Sequence, residues 1–568
     1  MDSTNAKGTS LERNEAVKAN SSGNSIRNNS EKPNNISAQP EKGSETFLGG
    51  WKLVTILTCL CMCEFLVALD ATILATATPV ISQEFQALED IGWYVSAYFL
   101  TNCAFQLVYG KIYSMYTVKP VYMAAVVIFE LGSLICAVAR HTEVFIFGRA
   151  FAGVGAAGIF SGALICISRV VRPDQRAGFS GMIVSMYGIA SVAGPLIGGA
   201  FTSRVTWRWC FWINLPIGGV ALFALFFLLH TPQRPNQDPN NKPTTLLQKI
   251  AKFDPIGATF LLASVICLLL ALELGETRYP FSDGRIIALF VVFGLLLIAF
   301  IVMQYFAGKN ATIPTQVLKQ RSILFGMFYM FTIGAHFFIF VYYVPIWLQG
   351  VRGDDALQSG IHTLPLLLGQ TIFVVGAGIF VSMTGFYIPL AWMSIVLTSV
   401  AAGLLTTLKP GSPSRMWIPY QMLYGIGGGL GYQQGITAAQ TVLSADDIAI
   451  GTALMVFVQN LGGTIFISAA NNVFVQKLVS GLRTAAPTLN TEAIIEAGAT
   501  GFRQLVPQEE FANVVVVYNH AVTEVFKMGL IMACITAIGA AGLEWRRAEV
   551  KKGGEAKDGE VAQDETTN

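Results

Sequence analysis

Two carboxylates interrupt the first long apolar stretch of this sequence, and one guanidinium interrupts a later stretch. Glu64 and Asp70 belong to an apolar run that begins at Trp51, and Arg149 lies within the run "FGRAFAGVGAAG". A charged side chain inside a membrane costs free energy unless it is paired, so each of these residues is a candidate for function. Burial raises the pKa of a carboxylate and a nearby arginine lowers it, so such a group can load a proton from one side and release it to the other. The three residues therefore have the chemistry of a proton-exchange site.

Helix geometry places these charges at overlapping depths but not on one face. Along a helix that starts near Trp51, Glu64 lies ~20 Å and Asp70 ~28 Å from the start, about 120° apart around the axis. A helix of the opposite direction would hold Arg149 ~10 Å below the outer surface, between the two acids. Each residue also has a structural alternative. Asp70 could cap the helix end, Glu64 could be a hydrogen-bonded structural acid, and Arg149 could extend to the interface as an anchor.

The composition predicts the elements that would hold these residues. Of the 568 residues, 53% are apolar and 13% are charged, whereas soluble domains usually have ~25% charged residues. Apolar stretches of ~20 residues, each long enough to cross a membrane as a helix, recur through the chain. We therefore expect an all-α polytopic membrane protein. Its predicted spans are 51–74, 92–113, 120–139, 144–168, 178–202, 211–230, 254–274, 286–306, 323–348, 358–381, 386–407, 416–441, 451–474 and 522–543.

Lysine and arginine residues set the expected orientation of these spans. They concentrate in alternate connectors, whereas the first outer loop is acidic. This bias predicts that both ends of the chain face the cytoplasm. We expect 1–47 to be a disordered cytoplasmic tail, 231–253 a cytoplasmic linker, 475–521 a long outer loop and 544–568 a second cytoplasmic tail.

Two short motifs place glycine where helices would end or meet. In "GKIYSMYTVKP", residues 110–120, Gly110 permits a tight helix end, and Lys111 and Lys119 lie at the cytoplasmic turn that follows. An ordinary basic connector would have the same features. In "GIASVAGPLIGG", residues 188–199, small residues one turn apart permit close helix contact and a proline bends the helix. This second motif comprises Gly188, Gly194, Pro195, Gly198 and Gly199.

Together these stretches resemble the major facilitator superfamily, and in particular its fourteen-span drug:proton antiporters. "LDATILATATP" is similar to the first-helix signature of that group, "GRAFAGVGAAG" to its fourth-helix motif, and "WRWCFWINLPIGG" to its entry into the sixth span. The two glycine motifs resemble its loop 2–3 motif and its fifth-helix antiporter motif. The resemblance covers residues 50 to 545 approximately and is greatest to fungal pumps that export toxins and other secondary metabolites.

The resemblance implies a major facilitator fold with fourteen transmembrane helices. It has a six-helix half at 48–230, two extra helices at 254–306, and a second six-helix half at 307–543. The first and fourth helices line the central cavity of that fold, so they would bring the three charges within reach of one another. Asp70 is then the first candidate for the proton carrier, Glu64 the second, and Arg149 the residue that tunes them.

One position departs from the family pattern. The loop 2–3 motif of the superfamily has an acidic residue near position 114, where this chain has Ser114. A gating role of that acid therefore does not transfer directly to this chain. Lys111 and Lys119 remain, and they could bind carbonyls at helix ends or lipid phosphates.

Other polar residues within the predicted spans are candidates to line the cavity. Glu130 could instead bond a neighbouring helix, and His336 could instead be a packing residue. The candidates are Glu130, His336, Gln421, Gln433, Gln459 and Asn460, with Gln434 beside them.

The expected function is proton-coupled efflux of hydrophobic or amphipathic small molecules, such as a toxin, a secondary metabolite or a drug. The sequence has no G-x-x-x-x-G-K-[ST] loop, so an ion gradient rather than ATP is the expected driving force. We see no nucleophile–base pair or metal cluster, and we expect no enzyme activity, cofactor or nucleic-acid partner. The expected state is a monomer in the plasma membrane, with a vacuolar or vesicle membrane as the alternative.

Two other hypotheses remain open from the sequence. Fourteen-span carriers that import siderophores share this general pattern, although the fifth-helix motif favours export. A transporter-like sensor would bind its ligand without net flux. The sequence does not identify the transported compound, because the specificity of an apolar cavity depends on side chains from many helices.

Overall fold

The computed structural model describes residues 50–87, 90–229, 254–277, 279–308, 311–487, 489–496 and 498–548. The predicted tail 1–47 and linker 231–253 lie outside these residues, as does most of the predicted tail 544–568. Every regular element in the described ranges is a helix, as the composition predicts.

The described α-helices fall into three groups along the chain. The N-terminal helices are α1 Gly50–Phe85, α2 Ile91–Met115, α3 Val118–Val138, α4 Thr142–Val170, α5 Arg176–Arg204, α6 Trp209–Trp212 and α7 Asn214–Leu228. The extra pair is α8 Pro255–Thr277 and α9 Gly284–Ala307. The C-terminal helices are α10 Thr315–Lys319, α11 Arg321–Trp347, α12 Ala356–Thr384, α13 Ile388–Leu405, α14 Ser414–Gly431, α15 Gln434–Val442, α16 Ile448–Ala485, α17 Thr491–Glu496, α18 Gly498–Leu505 and α19 Gln508–Gly542.

Twelve helical segments in the described ranges are long and apolar enough to cross a membrane. The prediction of fourteen spans differs at two places. The predicted span 92–113 is α2, a continuous helix whose apolar run is diluted by polar residues such as Asn102, Gln106 and Lys111. The predicted span 416–441 is divided into α14 and α15. The structure is thus an all-helical polytopic bundle with twelve strongly apolar spans and two more polar helical segments.

The segment before the division between α14 and α15 is glycine-rich and packs closely against other helices. A methyl group on Gly425 would collide with the carbonyl of Leu366 on α12, so the glycine permits backbone contact there. The helix ends at Gly431, whose carbonyl accepts a hydrogen bond from the Tyr329 hydroxyl at 3.1 Å. This side-chain donor satisfies a carbonyl at the helix end, where an intrahelical partner is missing.

Helix α5 connects the N-terminal and C-terminal groups of helices. At its start, the backbone N–H of Gly178 donates to Ser382 Oγ of α12 at 3.0 Å. Near its middle, a methyl group on Gly188 would collide with the Thr371 hydroxyl of α12. Beyond Gly188 the close contacts of α5 are with α1 instead. One helix therefore packs against α12 with its first part and against α1 with its second part.

The predicted outer loop 475–521 is largely helical in the structure. It contains the end of α16, the short helices α17 and α18, and the start of α19. Arg503 of α18 donates to the carbonyls of Gly350 at 2.9 Å and Val351 at 3.1 Å. These carbonyls belong to a π-helical turn, Leu348–Arg352, that follows α11. The segment is therefore attached to the end of α11.

Candidate functional site

Asp70 of α1 and Arg149 of α4 form a buried ion pair. Arg149 Nη1 donates to Asp70 Oδ2, and both side chains have no solvent exposure. Arg149 Nε also donates to the backbone carbonyl of Tyr94 on α2, at 2.8 Å. A buried arginine needs such a partner because an unpaired charge is costly to remove from water. The structure thus brings together the two charges that the sequence indicates most strongly.

The second oxygen of Asp70 is contacted by an asparagine that sequence analysis did not select. Asn214 Nδ2, at the start of α7, lies 3.4 Å from Asp70 Oδ1 and 3.1 Å from Ser133 Oγ of α3. Asn214 and Ser133 are both buried. Asn214 lies within the stretch "WINLPIGG", so an amide in an apolar run was the available signal.

Aromatic rings surround the Arg149 guanidinium. Its central carbon lies 4.5 Å from the ring centroid of Tyr98 and 5.9 Å from that of Phe211. A cation near an aromatic face is stabilised by the ring quadrupole, most strongly where water is excluded. The Tyr98 hydroxyl donates to the carbonyl of Val67 at 3.1 Å, which fixes the ring against α1.

Glu64 lies in a different environment from Asp70, as their spacing along α1 predicts. It is buried, and its Oε2 has no hydrogen-bond partner within the described part of the chain. It is close enough to Tyr98 and to Tyr432, at the break between α14 and α15, to interact electrostatically with both. Glu64 therefore faces the boundary between N-terminal and C-terminal helices, whereas Asp70 is enclosed among N-terminal helices.

The glycines of the fifth-helix motif permit backbone contact between α5 and α1. A methyl group on Gly194 would collide with Thr72, and one on Gly198 would collide with Thr76 and Ile73. The Thr72 hydroxyl also donates across this contact to the carbonyl of Ala190, at 3.0 Å. The two glycines thus bring α5 directly against the turn of α1 that follows Asp70.

Two further members of that motif, Pro195 and Gly199, have different surroundings. Pro195 lies inside α5 and is half-buried. A methyl group on Gly199 would have no atom of the described chain within 4 Å. Close packing therefore explains Gly194 and Gly198, while Gly199 faces open space.

The loop 2–3 lysines bind backbone carbonyls. Lys111 is buried and its Nζ donates to the carbonyl of Ala311 at 2.7 Å, in the connector between α9 and α10. Lys119 Nζ donates to the carbonyl of Phe226 near the end of α7, at 2.5 Å. A methyl group on Gly110 would collide with Ala453 of α16, so this glycine lies at a contact between α2 and a C-terminal helix.

Asp254, just before α8, is the acidic residue near Lys111, and sequence analysis did not select it. Its Oδ2 accepts hydrogen bonds from the Thr312 backbone N–H and hydroxyl, each at 3.0 Å, and from Gln304 Nε2 at 2.7 Å. It also interacts electrostatically with Lys111. Ser114, where the family motif has an acid, instead donates to the carbonyl of Lys111 at 2.8 Å. An acid is therefore present beside this lysine, but it comes from the extra helix pair.

The predicted cavity residues separate into two groups in the structure. Gln433 Nε2 lies 3.4 Å from the carbonyls of Ala177 and Val374, where α5 meets α12. Gln459 Nε2 lies 3.5 Å from the carbonyl of Tyr432. His336 Nδ1 instead lies 2.5 Å from the Tyr424 hydroxyl, inside the C-terminal helices. Gln421 and Gln434 are buried, and Asn460 is half-buried.

Glu130 lies between α3 and α7 rather than at the boundary between the N-terminal and C-terminal helices. Its carboxylate occupies the space above Gly218 of α7, where a methyl group would collide with it. Neither of its oxygens has a hydrogen-bond partner in the described ranges. Glu130 therefore packs against the neighbouring helix α7 but makes no hydrogen bond to it within the described residues.

These features define a class of protein before any comparison with known sequences. A bundle of apolar helices long enough to span a membrane, with a buried ion pair and a helix, α5, that packs against both groups of helices, has the architecture of a membrane transporter. In the described residues, no group of three or more His, Cys, Asp or Glu side chains could hold a metal ion.

The chain belongs to the Major Facilitator Superfamily, whose family model matches residues 60–467. It is therefore a multi-pass membrane transporter that carries small molecules, and not an enzyme. Similar proteins include "Efflux pump hmp6" of Hypomyces subiculosus, 56% identical over 90% of both chains. They also include "Efflux pump aflT" of Aspergillus parasiticus, which is 47% identical over 89% of this chain and 97% of that protein.

Solved structures support the fold. The human organic anion transporter MFSD10 matches with a TM-score of 0.54 and 12% identity over 85% of this chain and all of that chain. A bacterial homologue of the human lysosomal transporter Spinster, inward-facing and unoccupied, matches with a TM-score of 0.51 and 14% identity over 87% of this chain and 98% of that chain. At these identities the likeness extends to the arrangement of helices only.

Proposed function

We propose that this chain exports hydrophobic or amphipathic small molecules in exchange for protons, as a fourteen-span carrier of toxins or other secondary metabolites. The observation that carries the proposal is the buried pair of Asp70 and Arg149. The names of the similar fungal proteins, which describe efflux pumps, support the direction of transport. The fourteen spans are the twelve strongly apolar segments together with α2 and the divided α14–α15 segment.

In this proposal Asp70 alternates between a carboxylate paired with Arg149 and a neutral acid. Protonation removes the negative charge from the pair, while Arg149 keeps its hydrogen bond to the Tyr94 carbonyl and its contact with Tyr98. The attraction between α1 and α4 is then weakened without displacement of the arginine. Loss of the proton restores that attraction, so the two states of Asp70 favour different separations of α1 and α4.

The packing of α5 can pass this change to the C-terminal helices. Thr72 follows Asp70 by less than one turn of α1 and contacts α5 at Gly194 and Ala190. The same α5 contacts α12 at Gly188. A shift of α1 would therefore move α5 against α12, which is the type of helix shift by which carriers alternate access.

Three contacts at the helix ends support a closed cytoplasmic face. Lys111 binds Ala311, Arg169 donates to the carbonyl of Ala445 at 2.7 Å, and Gly178 binds Ser382. All three link N-terminal helices to residues that follow the extra pair, at ends that the positive-inside rule assigns to the cytoplasm. We infer that the two groups of helices are held together at the cytoplasmic face, with Glu64 and Tyr432 at the boundary between them.

The proposed setting is a monomer in the plasma membrane, with both ends of the chain cytoplasmic. Cysteine labelling of intact cells tests the orientation, because an impermeant reagent should modify a cysteine placed at exposed Leu505 and not one placed at exposed Asp446. The reverse pattern would contradict the orientation. Localisation of a fluorescent fusion distinguishes the plasma membrane from a vacuolar or vesicle membrane.

Transport in proteoliposomes tests the function. Purified full-length protein would be given an imposed proton gradient and rhodamine 6G, a fluorescent amphipathic compound, and a pH-sensitive dye would report proton movement. We expect movement of the probe against its gradient, with protons moving the other way. Asp70→Asn should abolish this movement, whereas Asp446→Asn makes the same chemical change at an exposed acid and should not. Movement of probe and protons in the same direction would indicate an uptake carrier.

A further inference from the structure

Glu130 on α3 is a half-buried acid that interacts electrostatically with Asp70 but takes no part in the Asp70–Arg149 pair. Both carboxylate oxygens of Glu130 on α3 are buried, and neither has a hydrogen-bond partner within the described residues. A buried carboxylate without donors is costly as an anion. A neutral acid at the same place has only its O–H to satisfy, so this environment suits a group that holds a proton.

The space for this acid is created by Gly218. A side chain at that position of α7 would occupy the volume of the Glu130 carboxylate, so the glycine admits the acid between α3 and α7. The next residue, Gly219, has no atom of the described chain within 4 Å of a methyl group placed on it. The chain therefore offers two adjacent glycines of which only one contacts the acid.

The neighbouring turn of the same two helices leads to Asp70. Ser133 lies about one turn beyond Glu130 on α3, and Asn214 lies about one turn before Gly218 on α7. Asn214 contacts both Ser133 Oγ and Asp70 Oδ1. The α3–α7 contact therefore holds Glu130 on one turn and the Asn214–Ser133 contact with Asp70 on the next.

Two groups on α1 lie close enough to Glu130 to interact with it electrostatically. They are the carboxylate of Asp70 and the thiol of Cys63. Arg149 is paired with Asp70. Because two nearby carboxylates repel each other when both are charged, the ionisation of Glu130 and that of Asp70 are linked.

We propose that Glu130 is a second proton-carrying residue of this transporter and that its protonation is coupled to that of Asp70. Protonation of one acid removes its negative charge and with it the repulsion between the two carboxylates, so the other acid releases its proton more readily. In each step a carboxylate takes a proton from the aqueous phase, or an O–H bond breaks and its proton returns to the aqueous phase, so no other reactant is needed. This inference rests on the proposed role of Asp70.

The positions along α3 place the two acids at different depths. With the proposed orientation, α3 runs from the cytoplasm outward, so Glu130 lies about one turn closer to the cytoplasm than Ser133 and Asn214. Because Asn214 contacts Asp70, Glu130 is the acid nearer the cytoplasm.

Infrared difference spectroscopy tests the inference without knowledge of the transported compound. Full-length protein in lipid nanodiscs would be recorded in acidic and in alkaline buffer, and carboxyl C=O bands assigned with Asp70→Asn and Glu130→Gln. We expect each variant to remove a different band and to shift the titration midpoint of the band that remains. If Glu130→Gln leaves the difference spectrum of the unaltered protein unchanged, Glu130 does not exchange protons and the inference is wrong.

The outcomes separate this inference from the proposed function. Loss of a band in Asp70→Asn but not in Glu130→Gln keeps Asp70 as proton carrier and excludes Glu130. A band removed by Glu130→Gln with none removed by Asp70→Asn contradicts both the role of Asp70 and the coupling between the two acids.

The adjacent glycines provide a matched pair of variants for the same measurement. Gly218→Ala should shift the Glu130 band, because the added methyl group displaces the carboxylate, whereas Gly219→Ala should leave the band in place. Equal spectra for both variants would contradict the position of the acid on Gly218. In proteoliposomes, Glu130→Gln should lower proton-driven movement of rhodamine 6G about tenfold or more while exchange of the probe without a gradient continues, since a purely structural role would change both.

Discussion

Arg149 donates its Nε hydrogen to the backbone carbonyl of Tyr94 at 2.8 Å, independently of the bond that it makes with Asp70. The guanidinium is thereby attached to α2 as well as to α1. If Asp70 gains a proton, as proposed, the bond to Tyr94 keeps Arg149 in place. This arrangement differs from a simple pair, in which neutralisation of one member releases the other.

The double attachment of Arg149 predicts that lysine cannot replace it. Arg149→Lys keeps the positive charge but supplies one ammonium group, which cannot reproduce the planar fork that reaches both Asp70 and Tyr94. Loss of one hydrogen bond to a charged group costs about 1.5–3 kcal/mol. We therefore expect proton-driven transport to fall about tenfold or more, as measured by probe efflux at equal surface expression. Unchanged transport in Arg149→Lys would show that charge alone is sufficient.

The contact between α5 and α1 predicts opposite effects at two neighbouring glycines. Gly198→Ala introduces a methyl group against Thr76 and Ile73, and overpacking of this kind costs about 1–3 kcal/mol. Gly199→Ala meets no atom within 4 Å and replaces glycine by a better helix former. We expect lower transport and a lower Tm for Gly198→Ala, and near-normal transport with an equal or higher Tm for Gly199→Ala. Equal losses in the two variants would mean that close packing does not explain the motif.

The sequence predicted the charged pair better than the groups around it. Asp70 and Arg149 were visible because charges are rare in apolar spans, and the helical angle between Glu64 and Asp70 separated their environments correctly. Asn214 and Ser133 were not selected, because small polar residues occur in many apolar helices and their contacts depend on how α3 and α7 pack. Their roles became visible only when those helices were placed beside Asp70.

The limits of helix prediction have equally specific causes. The sequence predicts one span over 416–441, whereas the helix ends at Gly431, whose carbonyl accepts a hydrogen bond from the distant Tyr329 hydroxyl. Asp254 was assigned to the start of a span, and its partners Gln304 and Thr312 come from the far end of the extra helix pair. The pattern of apolar residues therefore predicts helices and their order, whereas side chains that bind distant backbone groups require the folded chain.

From the contact between buried Lys111 and Ala311 we predict that Lys111 helps to keep the cytoplasmic face closed. Lys111→Met removes the donor to the Ala311 carbonyl, while a methionine retains most of the apolar length of the side chain. We expect a cysteine placed at buried Ala453, which contacts Gly110, to react with an impermeant maleimide from the cytoplasmic side faster in this variant. The comparison would use a background in which the native cysteines are replaced. An unchanged labelling rate would show that Lys111 does not hold this face closed.

Glu84 at the end of α1 predicts a pH-dependent contribution to stability outside the membrane. Partial burial raises the pKa of Glu84, but hydrogen bonds from Trp207 and Arg208 and the charge of Arg208 outweigh it, and the pKa is lowered from its ordinary value of 4.5. Trp207 Nε1 donates to Glu84 at 2.7 Å and Arg208 Nη1 at 2.8 Å. A pKa that is lowered by folding means that ionised Glu84 stabilises the folded state. This stabilisation is complete when the pH is above the ordinary pKa, and it is lost as the pH falls through the pKa of the folded state.

We therefore expect Glu84→Gln to lower the Tm slightly at neutral pH. The loss in the free energy of unfolding should be less than ~1 kcal/mol, because the Glu84–Arg208 pair is partly exposed to solvent. The difference from the unaltered protein should shrink as the pH is lowered below 4.5. Thermal unfolding of the purified protein at several pH values measures it. A difference that grows in acid would have the wrong sign and would contradict the assignment.

A double-mutant cycle on Asp70 and Arg149 tests whether the ion pair acts as a unit in transport. Asp70→Asn keeps the size of the side chain but cannot exchange a proton, so active efflux should fail while probe exchange without a gradient continues. Arg149→Ala leaves Asp70 buried without its counter-ion, and removal of one partner of a buried pair costs about 3–5 kcal/mol. If the residues are coupled, the double variant should lose clearly less than the sum of the single variants, in both Tm and transport. Additive losses would separate the roles of the two residues. If Asp70→Asn still drives the probe against its gradient and Glu64→Gln does not, the proton carrier is Glu64, whose Oε2 faces the boundary between the N-terminal and C-terminal helices without a hydrogen-bond partner in the described chain.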